Sequence, residues 1–317
     1  MKIIFLGTPH FAENVLQKLI DSKHQVVAVV CQPDKFVGRK QVLEAPPTKL
    51  LANEHDIPVF QFNKIRLEGA EPLKKLDADI MVTAAYGQIL SQEILDITEK
   101  GVVNVHGSVL PKYRGAAPIQ WSLINGEKTL GVTILQTQIG MDEGPIIATK
   151  EFEIERDDTV ESLYEKISLM GADLLLDSLE KIENGTAVFT PQDENLATKC
   201  KMLKKEDGQI DFSLSALKIE NQVRGMEVWP TAYAFLNEIM IKVYKAREVD
   251  EQRLNQLAVD YQTAVNGQVV LASKNGLFIK CENSVLSLLE VQLEGGKKLF
   301  YKDFVNGGKI KVGDILK

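Results

Sequence analysis

The chain has 317 residues, of which 44% are hydrophobic, and a formal net charge of −7 at pH 7. This length exceeds what one hydrophobic core usually supports, so we expect two domains. The acidic balance argues against indiscriminate nucleic-acid binding, and no apolar stretch reaches the roughly 18 residues of a membrane span. The start Met1–Gly7 lacks the pattern of a signal peptide, so we expect a cytoplasmic protein without a membrane partner.

Strand-like runs alternate with helix-like segments through residues 1–188. The alternation predicts an α/β fold, with a Rossmann-like, mostly parallel sheet that carries helices on both faces. A capping-box pattern at Asp158–Glu161 starts the last helix of this part. The predicted strands are Lys2–Gly7, Gln25–Val30, Ile57–Phe62, Asp79–Thr83, Val102–Val105, Val132–Leu135 and Ile146–Ile147.

The texture changes after Lys201, where a short helix precedes several short strands separated by glycine turns. About five strands in about 90 residues are typical of a small β-barrel of the oligonucleotide-binding (OB) type. We therefore predict a catalytic domain at 1–188, a linker at 189–205 and an OB-like barrel at 206–317. The predicted strands are Ala232–Leu236, Ile239–Tyr244, Gln268–Leu271, Leu277–Cys281 and Val285–Val291.

Cysteine and histidine spacing gives no support for a metal site. The cysteines Cys31, Cys200 and Cys281 lie far apart, and the four histidines form neither an HxH nor an HExxH pattern. We expect neither a disulfide framework nor a bound metal.

Polar residues alternate in Asn104-Val-His106-Gly-Ser108, directly after a buried run. Side chains two residues apart in a strand share a face, so an amide, an imidazole and a hydroxyl should line up near the end of a strand. Asp142 follows after one more strand and could reach them. An amide donor, a proton carrier and an orienting carboxylate suit acyl transfer. A single His is more often structural, and an Asp between glycines is equally typical of a turn.

Several motifs resemble folate-dependent formyltransferases, and the similarity covers nearly the whole chain. Among the members of that family, it is greatest to those that act on methionyl initiator tRNA. The motifs are Gly7-Thr-Pro-His-Phe-Ala12, Gln32-Pro-Asp34, Tyr86-Gly-Gln-Ile-Leu90, Asn104-Val-His-Gly-Ser-Val-Leu-Pro111, Arg114-Gly-Ala-Ala-Pro-Ile-Gln120, Asp142-Glu-Gly144, Lys204-Lys-Glu-Asp-Gly-Gln-Ile-Asp-Phe212, Val223-Arg224, Trp229-Pro230 and Gly296–Gly307.

The resemblance implies a formyltransferase fold in which Asn104, His106 and Asp142 are catalytic. It implies 10-formyltetrahydrofolate as the donor and co-substrate. The family more often has Leu at position 109, a small apolar difference. The residues implied to border the donor are Tyr86, Gly87, Ser108, Val109, Leu110 and Pro111.

The same resemblance implies contact with initiator tRNA. The long connection 32–47 carries Arg39 and Lys40, which we expect to contact the acceptor end, although a solvated loop is the simpler interpretation. In the second domain, Lys204 and Arg224 are further candidates for phosphate contact. We expect the protein to act as a monomer.

Other functions share parts of this pattern. A formyltransferase for amino sugar nucleotides would keep the catalytic residues, but resemblance to it predicts Arg-Gly-Arg-Ala where this chain has Arg114-Gly-Ala-Ala117. A 10-formyltetrahydrofolate hydrolase would use water as the acceptor. Glycinamide ribonucleotide transformylases resemble only the first domain. A non-enzymatic RNA-binding module is the alternative outside the enzymes.

Overall fold

Residues 1–38 and 41–317 are described by a computed structural model of the chain. They form two compact units. The first contains Met1–Pro118, Thr129–Glu153 and Leu163–Cys200, and the second contains Ile119–Lys128, Ile154–Ser162 and Lys201–Lys317. Residues 189–200, predicted as part of a linker, fall within the first unit. The predicted domain boundaries at 188 and 206 stay predictions.

The helices and strands follow in chain order. The strands are β1 (Lys2–Gly7), β2 (Gln25–Cys31), β3 (Lys35–Val37), β4 (Val42–Glu44), β5 (Val59–Gln61), β6 (Ile80–Ala84), β7 (Val102–His106), β8 (Arg114–Gly115), β9 (Thr129–Gln136), β10 (Ile146–Glu153), β11 (Lys199–Cys200), β12 (Ala232–Leu236), β13 (Ile239–Glu248), β14 (Val269–Ser273), β15 (Gly276–Cys281), β16 (Ser284–Leu293) and β17 (Lys298–Phe300). The α-helices are α1 (His10–Ile20), α2 (Pro47–Glu54), α3 (Ile65–Glu68), α4 (Ala70–Lys74), α5 (Gln92–Leu95), α6 (Pro118–Ile124), α7 (Val160–Glu183), α8 (Ala216–Gly225), α9 (Glu251–Gln256) and α10 (Tyr301–Asn306).

The first unit is organised by a seven-stranded sheet in the order β10-β9-β7-β6-β1-β2-β5. The five neighbouring strands β7, β6, β1, β2 and β5 run parallel to one another. At one edge, β9 pairs antiparallel with β7, and β10 pairs antiparallel with β9. All five residues of β6 are buried, as expected for a strand covered on both faces. The prediction of a mostly parallel sheet is confirmed.

The long helix α7 packs closely on this sheet. At Gly171 an added Cβ would lie 2.8 Å from Val105 Cγ1 of β7 and 3.0 Å from Val132 Cγ2 of β9. A glycine at this position therefore allows the helix to approach the two strands. Helix α7 thus packs directly against β7, the strand that carries Asn104 and His106.

Two short strands, β3 and β4, form an antiparallel hairpin inside the connection 32–47. The sequence predicts a long loop there. Each strand has only three residues, and the side chains are mostly exposed, so the pattern lacks the alternation by which a half-buried strand is detected.

The second unit is a small antiparallel barrel. Its sheet has the order β12-β13-β16-β15-β14, and β17 pairs with β16. The segment near Leu316 closes the sheet, because Leu316 pairs with Leu236 of β12 and Ile315 pairs with Gln268, directly before β14. Closure removes the two free edges that an open sheet would expose. The predicted small barrel is confirmed.

Candidate active site

Three polar side chains lie together at the carboxyl end of β7. Asn104 and His106 are two residues apart on this strand and therefore share a face. Asp142 lies on the connection between β9 and β10. Its Oδ1 is 3.5 Å from Asn104 Nδ2 and 3.6 Å from His106 Nδ1. We call Asn104, His106 and Asp142 the polar cluster. The structure thus brings together the three residues that the sequence suggests.

The amide of Asn104 has a defined orientation. Thr83, its register partner on β6, donates a hydrogen bond from Oγ1 to Asn104 Oδ1 at 2.8 Å. An amide oxygen accepts and an amide nitrogen donates, so this bond directs Nδ2 toward Asp142. Asn104 therefore presents a hydrogen-bond donor within the polar cluster.

The imidazole of His106 is held by a main-chain carbonyl. Its Nε2 lies 3.0 Å from Tyr113 O, and the side chain is 5% exposed. A carbonyl oxygen can only accept, so Nε2 carries the proton. Nδ1 is then the nitrogen that faces Asp142 and can gain or lose a proton. Cys200 Sγ also donates to Tyr113 O, at 3.4 Å, and burial raises the pKa of this thiol.

Asp142 is held in an uncommon backbone conformation. Its φ is 56°, in the left-handed region that Asp tolerates better than most residues. The main-chain N–H of Gly115 donates to Asp142 Oδ2 at 2.8 Å. Gly115 itself has φ 127°, and a Cβ there would lie 2.1 Å from Cys200 O. Position 115 thus requires glycine, and the chain path that glycine permits delivers a donor to the carboxylate.

The segment Ser108–Pro111, implied to border the donor, packs against β9. Ser108 is 1% exposed, and its Oγ donates to Lys112 O at 2.7 Å. Thr133 Oγ1 in turn donates to Ser108 O at 2.7 Å. Because β7 ends two residues earlier, Ser108 does not continue the polar face as the strand pattern predicts. A donor contact by this segment stays a prediction.

Tyr86 and Gly87 form the turn after β6. The Tyr86 side chain is 4% exposed within an apolar cluster, and burial raises the pKa of its hydroxyl. Its carbonyl accepts hydrogen bonds from Gln32 Nε2 at 3.0 Å and Thr8 Oγ1 at 3.3 Å. Gly87 has φ 85°. This turn therefore presents backbone, not the tyrosine ring, at the edge of the sheet.

A cleft of about 930 Å³ lies in the first unit. Its walls include Val102 and Gly140, which precede Asn104 and Asp142 by two residues each. Its size falls in the range of small-molecule pockets, roughly 300–1,000 Å³. Its lining is mostly polar and includes the exposed apolar side chains of Ile139 and Phe189. No motif in the sequence indicates this cleft.

Together these groups can perform acyl transfer. Asn104 offers a neutral donor for a developing oxyanion, and His106 offers a nitrogen for proton transfer. Asp142 lies close enough to stabilise a protonated imidazole. Residues 1–179 match the family described as formyl transferase, and residues 202–309 match its C-terminal domain.

The chain belongs to the formyltransferase family.

Curated formyltransferases match this chain over its full length. It is 41% identical over 317 residues to a methionyl-tRNA formyltransferase of Ruminiclostridium cellulolyticum, covering 100% of this chain and 99% of that protein. It is 42% identical over 314 residues to the methionyl-tRNA formyltransferase of Geotalea daltonii, covering 99% and 97%.

Solved formyltransferase structures share the fold. An N-formyltransferase from Helicobacter canadensis, in complex with folinic acid and dTDP-3-aminofucose, has a TM-score of 0.65 at 19% identity. The alignment covers 91% of this chain and 98% of that one. At this level of identity the likeness shows the common fold alone.

The residues predicted to contact RNA differ in their surroundings. Arg39 and Lys40 lie outside the described residues, and Lys204 is exposed. Arg224 is half-buried within the second unit, where its guanidinium donates to Asn221 Oδ1 at 2.9 Å and to three main-chain carbonyls. These bonds support a structural role for Arg224, and its contact with RNA stays a prediction. The carbonyls that accept from Arg224 are those of Glu155 at 3.3 Å, Arg156 at 3.0 Å and Asp158 at 3.0 Å.

Two groups that orient the polar cluster in this formyltransferase were not predicted from its sequence. Thr83 could have been found, because a polar residue at the carboxyl end of a buried strand is a usable signal. The carbonyl of Tyr113 gives no such signal, since every residue has one.

Within residues 1–38 and 41–317, no three His, Cys, Asp or Glu side chains are grouped as metal ligands would be. No helix in these ranges has both the length and the hydropathy needed to cross a membrane.

Proposed function

We propose that this chain transfers the formyl group of 10-formyltetrahydrofolate to the α-amino group of methionyl initiator tRNA. The observation that carries the proposal is the polar cluster, placed at the end of β7 in a chain that matches methionyl-tRNA formyltransferases over its full length. The products are N-formylmethionyl-tRNA, which serves translation initiation, and tetrahydrofolate.

In the proposed mechanism, the amine attacks the formyl carbon that is bonded to N10 of the folate. The carbonyl oxygen becomes an oxyanion, which accepts a hydrogen bond from Asn104 Nδ2. Such a donor typically contributes about 3–4 kcal/mol to stabilising the transition state. The bond that Thr83 makes to the amide oxygen keeps Nδ2 available for this role.

Proton transfer is assigned to His106 Nδ1. It takes a proton from the attached ammonium and passes it to N10 as the carbon–nitrogen bond to the folate breaks. The bond from Nε2 to Tyr113 O fixes which nitrogen is free, and Asp142 stabilises the imidazolium. The formyl group ends on the methionyl nitrogen, so atoms and charges balance.

The donor is proposed to occupy the cleft at the start of β7 and to extend from it toward the polar cluster. Its walls come within two residues of both Asn104 and Asp142. The apolar Ile139 and Phe189 would contact the folate rings. The structure of the related Helicobacter canadensis enzyme contains folinic acid, which supports a folate in this fold.

The RNA is proposed to contact the hairpin of β3 and β4 together with the second unit. Small barrels of this type commonly bind nucleic acids. A monomer is the proposed active form. The proposed reaction places the enzyme with the translation machinery in the cytoplasm.

The test is transfer from 10-formyltetrahydrofolate that carries a labelled formyl group. Methionyl initiator tRNA, an amino sugar nucleotide and water compete as acceptors, and unacylated tRNA is the matched control. Label on methionyl-tRNA alone supports the proposal. Label on the sugar, or free labelled formate, would keep the chemistry but overturn the acceptor. Absence of turnover would overturn the proposed reaction.

A further inference from the structure

We propose that Gln192 positions Asp142 for the reaction. This inference rests on the proposed function, because it assigns a role in the same transfer. Gln192 lies between α7 and β11, in the segment that the sequence predicts as a linker. Its Nε2 donates to Asp142 O and to Gly144 O, each at 2.7 Å. One amide thus holds the main chain on both sides of Glu143.

The loop that carries Asp142 needs such support. Asp142 has φ 56°, outside the conformations that helices and strands stabilise. A Cβ at Gly144 would lie 1.7 Å from Gln136 O, so the loop returns tightly against the end of β9. Partly buried carbonyls in such a turn require donors from elsewhere in the chain. Gln192 supplies them.

Gln192 has only one orientation that satisfies its neighbours. Its Oε1 accepts from Arg114 Nε at 3.0 Å, and an Arg side chain can only donate. Nε2 must therefore face the loop. Arg114 is 2% exposed and makes two bonds to Glu194, at 2.9 and 2.7 Å, and Glu194 raises the pKa of Arg114.

The main chain before Gln192 is also fixed. Thr190 and Ile146 exchange two main-chain hydrogen bonds of 2.8 Å each. The amide therefore approaches the loop from a segment whose main chain is paired with the first residue of β10. If it is removed, the Asp142 carboxylate keeps the bonds from Gly115 N and Asn104 Nδ2, but the main chain that carries it loses both donors and can move relative to His106. Geometry of this kind affects the chemical step more than substrate binding.

The test compares Gln192→Met with wild type in transfer to methionyl-tRNA. Methionine matches glutamine in length but neither donates nor accepts as the amide does. We expect kcat to fall by roughly 10- to 100-fold, with both KM values within about threefold of wild type. Asn195→Ala is the matched control, since Asn195 is exposed on the same segment and bonds only Asp193 in the described structure.

A second variant covers the case in which Gln192→Met does not fold. Gln192→Glu keeps an oxygen for Arg114 but replaces the donor to the two carbonyls, and we expect the same fall in kcat. An unchanged kcat in either folded variant, or an equal loss in Asn195→Ala, would overturn the inference. A loss confined to KM would also overturn it. Wild-type protein that fails to formylate methionyl-tRNA would instead refute the proposed function.

Discussion

The Lys49 ammonium lies 2.8 Å from both carboxylate oxygens of Asp34. Asp34 directly precedes β3, and Lys49 belongs to α2, so this pair joins the two ends of the connection that carries the hairpin. Gln61 completes the contact, because its Nε2 donates to Asp34 Oδ1 at 2.7 Å and its Oε1 accepts from Lys49 at 2.9 Å. The hairpin thus has a fixed base.

We expect Asp34→Asn to destabilise the protein at pH 7 and this difference to shrink in acid. Hydrogen bonds from Lys49 and then Gln61 lower the pKa of Asp34 below its usual 3.8. A lowered pKa stabilises the folded state above the unfolded pKa, and the contribution is lost as pH falls through the folded pKa. For a partly exposed pair we expect about 1 kcal/mol at pH 7.

Urea unfolding of wild type and Asp34→Asn from pH 7 down to pH 3.5 measures this difference in the free energy of unfolding. The difference should stay constant above about pH 5 and become smaller below pH 3.8, as linkage requires. A difference that widens in acid would contradict the assignment.

The hairpin should contribute to RNA binding through one face. Phe36 and Leu43 are register partners, and their exposed fractions are 64% and 54%. Unpaired bases stack on exposed aromatic rings, which contributes about 1–3 kcal/mol per base. We therefore expect Phe36→Ala to raise the KM for methionyl-tRNA by about tenfold while the KM for the formyl donor is unchanged.

Val42→Ala is the matched control for this prediction. Val42 is also 54% exposed but pairs with Val37, one position along the hairpin and hence on the other face. An equal increase in KM for both variants would show that the hairpin acts without a specific stacking face.

The sequence predicted the sheet more completely than the site. Buried strands such as β6 and β7 have an apolar pattern that local sequence reveals. Residue type selected Asn104, His106 and Asp142 only together with the family resemblance, and their catalytic role stays a prediction. The orienting contacts depend on chain segments far apart in sequence. Gln192 reaches Asp142 across 50 residues, and no local pattern identifies such a partner.

Closure of the barrel could not be predicted from the sequence either. The segment at Ile315 and Leu316 makes only isolated bridges, to Gln268 and Leu236. A run this short has no detectable strand periodicity, so its role depends on the two strands between which it lies.

The orientation of Asn104 should depend on the Thr83 hydroxyl. Thr83→Val keeps the shape but removes the bond to Asn104 Oδ1, so Nδ2 no longer has a fixed direction. A hydrogen bond of this kind contributes about 1 kcal/mol, which corresponds to a fall in kcat of about fivefold. Steady-state kinetics should show no change in either KM.

Thr48→Val provides the control, because Thr48 is also buried and donates to Gly7 O at 2.8 Å, away from the polar cluster. Thr48→Val should lower the free energy of unfolding by about 1 kcal/mol, as expected for one lost hydrogen bond, and leave kcat unchanged. If Thr83→Val retains wild-type kcat, the amide of Asn104 is oriented by other groups.

Gly115→Ala should damage both stability and activity. The added Cβ would lie 2.1 Å from Cys200 O, and the φ of 127° is unfavourable for alanine. We expect a loss of at least about 2 kcal/mol in the free energy of unfolding, together with a loss of kcat as the donor to Asp142 shifts.

Gly307→Ala is the comparison, since its nearest neighbour to an added Cβ is Asp303 O at 3.3 Å and its φ is −72°. Thermal unfolding and kinetics of both variants distinguish the cases. Wild-type kcat in a destabilised Gly115→Ala protein would show that Gly115 is not needed to position Asp142.

In the proposed mechanism, Asn104 and His106 act as one catalytic unit. The most direct test is kcat for Asn104→Ala, His106→Ala and the double variant, in steady-state transfer to methionyl-tRNA. Each single change should slow transfer by at least about 100-fold, and the double variant should be within about tenfold of the slower single, because residues that act together are strongly non-additive. Full multiplication of the two effects, or wild-type kcat in either folded single variant, would contradict the claim.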